Sequence, residues 1–394
     1  MIEDVVVAAN PILKTAVARQ RCLFIDMLRC GAVVFMLQGH AFDAFLKSSV
    51  KQAGYYYLHD FLHGFVAPIF LFASGLAFGI ATFQNWEAYL GWSVGVRRRL
   101  LRFGGLMLVG YALHLPFFSL RKIIYDSSPQ EIADFLQVDA LQCIGVTLGG
   151  LQLLVLFLKR QRYVAMVSLL LSVLVILLSP WIWNASFGRL FPLGLASYLN
   201  GENKSWFPLF PWSAYLLLGT AYAYRCNRAE ERGEAGEFMD RSAHAGFLIV
   251  VLSLLASWMP VHFLPAHDYW KVNPVLNFLR GGVLLVVTSL VFRVEHLFRV
   301  PPSLPAVIGR ESLTIYVAHL MIIYGSVINP GLELNWRGCL DLSQASMVFG
   351  ALLLSLIAFA YLWHHLKRNF KDRALLLKLA LAATLLLSFV TRPY

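Results

Sequence analysis

Apolar runs of about 20 residues recur along the chain, separated by short segments rich in Arg, Lys, Gly and Pro. At about 1.5 Å of rise per residue, a helix of that length crosses the hydrocarbon core of a bilayer. The pattern predicts eleven helical spans, at 22–46, 57–84, 98–120, 137–158, 162–184, 206–225, 243–265, 272–293, 303–328, 345–366 and 373–391. Several contain Gly or Pro, which membrane helices tolerate when neighbouring helices satisfy the backbone. The last two are the least polar. The expected fold is an all-α polytopic membrane protein.

Composition agrees with that expectation. Of 394 residues, 58% are hydrophobic and 14% charged, too apolar for an ordinary soluble domain. The net charge of +11 then reads as topology and contact with anionic lipid. No basic patch interleaved with aromatics stands outside the spans, so nucleic acid is not expected as a partner.

Lys and Arg are unevenly divided between the two sides. The N-terminus and every second loop carry 19, including Arg97, Arg98 and Arg99; the other loops carry 9. This bias places the N-terminus in the cytoplasm and the C-terminus outside. Residues 1–21 are expected to form a cytoplasmic tail. They are too mixed for a signal peptide, so the first span should remain as an anchor. A core of about nine helices follows over 22–328, then two C-terminal helices in 329–394. Cys22, Cys30, Cys143, Cys226 and Cys339 show neither a paired framework nor CxxC spacing. Two outer segments are more than connectors. Segment 121–136 carries Asp126, Glu131 and Asp134; segment 185–211 contains SWFPLFPW and reads as an interfacial aromatic belt or as a substrate-shaping loop.

Ionisable residues inside the spans are costly, and they tend to face the bundle interior or a cavity. In RCGAVVFMLQGH, Arg29 and His40 are eleven residues apart, close to three helical turns, so they share a face with about 16 Å between them along the axis. Asp26 lies one turn before Arg29, and Asp43 one turn after His40. The second span opens YYYLHDFLHGF, with His59, Asp60 and His63. Asp139 and Gln142 begin the fourth span, Arg280 enters the eighth, and His319 lies within the ninth. Together they outline a polar chamber in the outer half of the membrane. His114, near a helix end, fits a headgroup-level position. Asp26 and Arg29 could also be an internal ion pair that fixes helix packing. His59 and His63 are spaced as zinc ligands would be, yet no further ligand set is specified, and no metal is expected.

A histidine in such a chamber suits general-base work, oriented by a carboxylate such as Asp43 or Asp60. Arg29 with Arg97 and Arg98 at the cytoplasmic mouth suits a phosphate-bearing donor. The division is anion capture on one side and a base on the other.

Several motifs carry a family resemblance. IDMLRCGAVVFMLQGH resembles the first helix of the acyltransferase-3 family. VAPIFLFASGLAFG resembles the second-helix signature of that superfamily, and GRESLTIYVAHLMII its late helix with a Ser-Leu, a Tyr and a His. LQVDALQCIGVTLG and FPLFPWSAYLLLG more closely resemble bacterial relatives of heparan-alpha-glucosaminide N-acetyltransferase. The resemblance runs from about Arg21 to His319. It implies transfer of an acyl group, acetyl in the simplest case, from cytoplasmic acetyl-CoA or another acyl-CoA. The acceptor is a hydroxyl or amine of a carbohydrate or glycolipid on the outer face, and the protein sits in a bacterial inner membrane. By it, His40 carries over as catalytic and Arg29 as donor-side. Two departures matter. Arg29 is followed by Cys30 where the family has Gly. Heparan-type enzymes carry their active histidine before the second helix, where this chain offers His59 at a different spacing from Pro68. His40 is the preferred base, with His59 the second candidate. Asp43 and Asp60 are candidates to orient it, His319 and Gln142 to polarise the thioester, and Asp26, Arg29, Arg97 and Arg98 to hold the donor. Transfer is expected to be direct, with a covalent acyl-histidine as the rival mechanism. A homodimer through the last two spans is open.

Two other functions fit a polar chamber. A proton-coupled transporter or exporter of a sugar or lipid precursor would use the same residues, but no paired inverted halves are visible. A membrane glycosyltransferase would normally carry an outer carboxylate pair and a large outer domain, and the loops here are short.

Overall fold

The computed structural model describes residues 22–259, 264–299 and 303–392. The expected tail at 1–21 lies outside them. Among the described residues the secondary structure is helical, with two isolated β-bridges and no strand. Thirteen helices carry the architecture: α1 Leu23–Phe45, α2 Gly54–His63, α3 Val66–Gln84, α4 Val94–Leu113, α5 Ala140–Leu158, α6 Gln161–Trp183, α7 Leu209–Glu231, α8 Ala235–Ala256, α9 Pro274–Val294, α10 Leu304–Arg310, α11 Ser312–Ile323, α12 Leu342–Asn369 and α13 Lys371–Thr391.

A helix occupies each of the eleven expected spans, but not all are apolar enough to cross a membrane by themselves. Among the described residues eight helices or continuous helix pairs are long and apolar enough: α1, α2 with α3, α5, α6, α8, α9, α12 and α13. A ninth is a broken span, α10 with α11, bent by 72°. The two remaining stretches, α4 and α7, carry charge within their ends. Arg97, Arg98, Arg99 and Arg102 sit in the first half of α4, and Arg225, Arg228, Glu230 and Glu231 in the last turns of α7.

Helix α7 is nevertheless central. It packs along α3, where two glycines let the backbones touch. A Cβ on Gly219 would fall 2.2 Å from the Phe72 carbonyl oxygen, and one on Gly75 would fall 2.0 Å from that of Leu216. The Thr220 hydroxyl donates to the Leu216 carbonyl (3.0 Å) and lies 3.2 Å from that of Gly75. Small residues and a hydroxyl at a helix contact are a usual way for membrane helices to associate, since lipid gives no hydrophobic drive between them.

One end of the bundle is basic. There the start of α1 meets the end of α9, with Phe24 against Phe292 at 5.7 Å between ring centroids, and the Phe24 N–H donates to Glu295 (3.0 Å). The end of α3 meets the start of α6 and the last turns of α7: Gln161 donates to the Phe83 carbonyl (3.3 Å), and the Phe83 ring lies 5.6 Å from Tyr224. At the opposite end, segment 185–211 docks on segment 121–136, where Lys204 lies 3.9 Å from Asp134, and on α4 and the start of α5. The Val138 N–H donates to Ser205 (3.0 Å), the Phe207 N–H to the Val138 carbonyl (2.9 Å), and the Tyr111 and Tyr198 hydroxyls are 2.9 Å apart.

Candidate active site

Helix α1 brings Gln38, Gly39 and His40 to the end opposite the basic residues. Gly39 is required by a close approach: a Cβ there would fall 1.7 Å from Nε2 of His63, so the His63 ring lies directly on the α1 backbone. His63 is the last residue of α2. This places its ring 6.5 Å from that of His40, centroid to centroid.

Tyr324 follows α11 and reaches His40. Its hydroxyl is 2.9 Å from His40 Nδ1 and 3.5 Å from the His40 carbonyl oxygen. The phenol can donate to Nδ1, which puts the ring proton on Nε2, or accept from Nδ1–H, in which case Nε2 carries the lone pair.

His319 is fully buried, 5.2 Å from the His40 ring. Its Nδ1–H donates to the Ile315 carbonyl (3.0 Å), so its Nε2 carries the lone pair. The Tyr316 ring stands edge-on to it at 5.6 Å, and the Tyr316 hydroxyl donates to Asp139 (3.0 Å). Asp139 caps α5, accepting the Ala140 N–H at 2.7 Å, and lies 3.6 Å from His114 Nε2. His40, His319, Tyr316, Asp139 and His114 thus form one continuous polar chain across α1, α11, α5 and α4. His114 is turned onto this chain through Asp139.

Other residues read from the sequence fall differently. His59 has both ring nitrogens engaged, with Asp60 (3.1 Å) and Gln38 (3.0 Å), and it stacks on Tyr56 at 4.7 Å. It buttresses the cluster and offers no lone pair to it. Asp60 is exposed and serves His59. Asp43 is 75% exposed and pairs with Lys51 at 3.2 Å. The side chain that meets His40 Nδ1 is Tyr324, which follows α11, while Asp43 meets Lys51 and Asp60 meets His59. Gln142 is buried on Gly110 of α4, and its Oε1 accepts the Asp139 N–H (3.2 Å). It sits with Asp139 at the histidine end of the bundle. Arg280 is buried beside Gly64, and its Nε and Nη1 have no hydrogen-bond partner among the described residues.

At the basic end, Asp26 is buried and pairs with Arg310 at 3.5 Å. Arg29 is half-buried on the same face of α1 as His40. Arg97 and Arg98 are exposed, whereas Arg99 turns inward, stacks on Tyr89 at 3.4 Å and donates to Thr82 at 2.8 Å. A cleft of 550 Å3 at the foot of α1 is lined by Asp26, Arg299, Arg310, His364 and Arg368 among others. Among the described residues no three His, Cys, Asp or Glu side chains converge as metal ligands would.

The family model for heparan-alpha-glucosaminide N-acetyltransferase, catalytic, matches residues 21–257, more than half of the chain. The chain belongs to that family. No curated protein matches it. The N-acetyltransferase match takes in His40, His63, His114 and Asp139, and ends before His319, Tyr316 and Tyr324. Those three join the matched residues only through the fold. Of the chain, His40 and His319 are legible in the sequence through their motifs. Tyr324 carries no sequence signal beyond standing five residues after His319. His63 is visible only as the neighbour of His59.

Proposed function

We propose that this protein is a transmembrane acyltransferase. It takes an acyl group, acetyl in the simplest case, from acyl-CoA on the cytoplasmic side and passes it to a hydroxyl or amine of a carbohydrate or glycoconjugate on the outer face. The observation that carries this reading is the His40–Tyr324 pair set against His63 and His319, inside a member of an N-acetyltransferase family. In the tautomer proposed, Nδ1–H donates to Tyr324 and Nε2 holds the lone pair that a general base needs.

The proposed topology keeps eleven crossings, with α4, α7 and the bent α10–α11 pair among them, the N-terminus in the cytoplasm and the C-terminus outside, in a bacterial inner membrane. The basic end then faces the cytoplasm, where acyl-CoA is made. The 550 Å3 cleft at the foot of α1 is the proposed mouth for the donor, with Arg310 and Arg368 near the phosphates and Arg29 further along the path. The α1 face from Arg29 to His40 spans about 16 Å, a distance suited to a pantetheine arm.

In the proposed reaction, His40 Nε2 takes the proton of the acceptor amine or hydroxyl as its heteroatom bonds to the thioester carbonyl carbon. The C–S bond breaks, and the CoA thiolate takes the proton from His40. Tyr324 holds His40 in place through both protonation states, because Nδ1–H remains a donor throughout. Arg280 is the proposed cationic donor to the carbonyl oxygen on which charge develops.

The test is acyl-CoA binding and CoA release by purified protein in detergent. The expected result is binding with slow CoA release by the wild type, binding without release by His40→Ala, and weak binding by Arg29→Ala. A wild type with no affinity for acyl-CoA would sink the reading and turn attention to proton-coupled transport, measured by uptake into proteoliposomes.

A further inference from the structure

The basic end carries a second cleft that acyl transfer leaves unused. It measures 720 Å3 and lies between the first turns of α6, the last turns of α7 and the first turns of α8. Five arginines line it, Arg162, Arg225, Arg228, Arg232 and Arg241, against Glu231, Glu234 and Glu237. Arg228 pairs with Glu231 at 2.9 Å, and Arg241 pairs with Glu237. Among the described residues Arg162, Arg225 and Arg232 are in no ion pair, which leaves three guanidiniums facing Glu234 alone.

The rest of the lining is apolar. Ala165, Met166 and Leu169 come from α6 and Ala221 from α7. Met166 is 53% and Leu169 48% exposed, on a helix apolar enough to cross a membrane. Their outward faces therefore meet lipid chains rather than water. The cleft joins a cationic rim to a hydrocarbon floor at the level where a span ends.

We propose that this cleft binds the headgroup of an anionic phospholipid, with the phosphate held by Arg162, Arg225 and Arg232 and one acyl chain laid along Met166 and Leu169. Guanidinium forks bind phosphate oxygens in pairs, and basic residues at the end of a span are drawn to anionic lipid. A soluble nucleotide offers the same phosphate chemistry but nothing to cover the Met166–Leu169 floor. No residue of α1 lines the cleft, which separates it from the cleft beside Asp26.

The test uses the full chain in nonionic detergent, with bound lipid counted by native mass spectrometry. Phosphatidylglycerol and phosphatidylcholine are titrated in parallel, and CoA is added as competitor. The wild type should retain phosphatidylglycerol over phosphatidylcholine, with no displacement by CoA. A triple variant, Arg162→Gln with Arg225→Gln and Arg232→Gln, should bind phosphatidylglycerol roughly 10- to 100-fold more weakly. Should the triple variant aggregate, Arg225→Gln alone decides: weaker phosphatidylglycerol retention supports the site, and unchanged retention overturns it. Equal retention of the two lipids by the wild type, equal binding by variant and wild type, or displacement of the lipid by CoA each overturn it; the last would assign the cleft to the nucleotide. The readout is lipid occupancy, so it stands whether or not acyl transfer is the activity.

Discussion

The Tyr324 hydroxyl reaches both the ring and the carbonyl of His40, at 2.9 Å from Nδ1 and 3.5 Å from the backbone oxygen. One phenol thereby holds the ring of a residue 284 positions earlier in the chain. Tyr324→Phe keeps the ring and removes that bond. With one hydrogen bond worth about 1 kcal/mol, CoA release should fall roughly tenfold or somewhat less while acyl-CoA affinity is retained. Single-turnover kinetics with both variants separate this from a binding defect. His40→Ala should lose about 10²- to 10⁴-fold, the usual contribution of a general base. Equal rates in Tyr324→Phe and wild type would remove Tyr324 from the site.

Gly39 and His63 form a second test. Gly39→Ala puts a methyl group into the His63 ring, and overpacking of this kind costs about 1–3 kcal/mol. Thermal unfolding in detergent should show a lowered Tm. The His63→Ala change in the same background opens the space again, so the double variant should regain part of the loss. A single Gly39→Ala variant as stable as wild type contradicts the contact.

Asp139 should behave as a junction. Asp139→Asn weakens its bonds to Tyr316 and His114, while Tyr316→Phe removes one of them. In a double-mutant cycle on Tm, the two changes should couple by about 0.5–3 kcal/mol, as neighbours in one hydrogen-bonded network do. Additive effects would mean the chain from His40 to His114 is only a row of neighbours.

Asp43 should be dispensable for chemistry. It is largely exposed and meets Lys51, a pair of the surface kind worth at most about 1 kcal/mol. Asp43→Asn should leave CoA release within about twofold of wild type. A loss as large as that of His40→Ala would restore it as the group that orients the base.

Sequence periodicity located the helices well because a span must be long and apolar throughout, and that property is local. It did less well where span character depends on neighbours. α7 carries a charged end and is still packed deep along α3 through Gly75 and Gly219, a contact that no run of apolar residues announces. The 72° break between Arg310 and Ser312 is likewise invisible in 303–328, which reads as one apolar stretch. At the break, the buried Glu311 carboxylate is held by His364 (3.2 Å) and Lys367 (2.5 Å) from α12. In the site, the helical spacing of Arg29 and His40 was readable, since eleven residues fix a shared face. Which acid or phenol meets His40 was not. Asp43 is nearer in sequence but meets Lys51, and Tyr324 arrives from the far part of the chain.

The bond between His40 and Tyr324 also sets an order of events during synthesis. His40 leaves the ribosome 284 residues ahead of its partner. At the usual 5–20 residues per second, that is roughly 15–60 s of elongation. Throughout that interval the nascent chain holds α1 and then the whole stretch 21–257 that marks the family, yet His40 lacks the phenol that meets its ring. The pair therefore exists only in a chain translated past α11, and a product stopped earlier keeps the signature of the family without it.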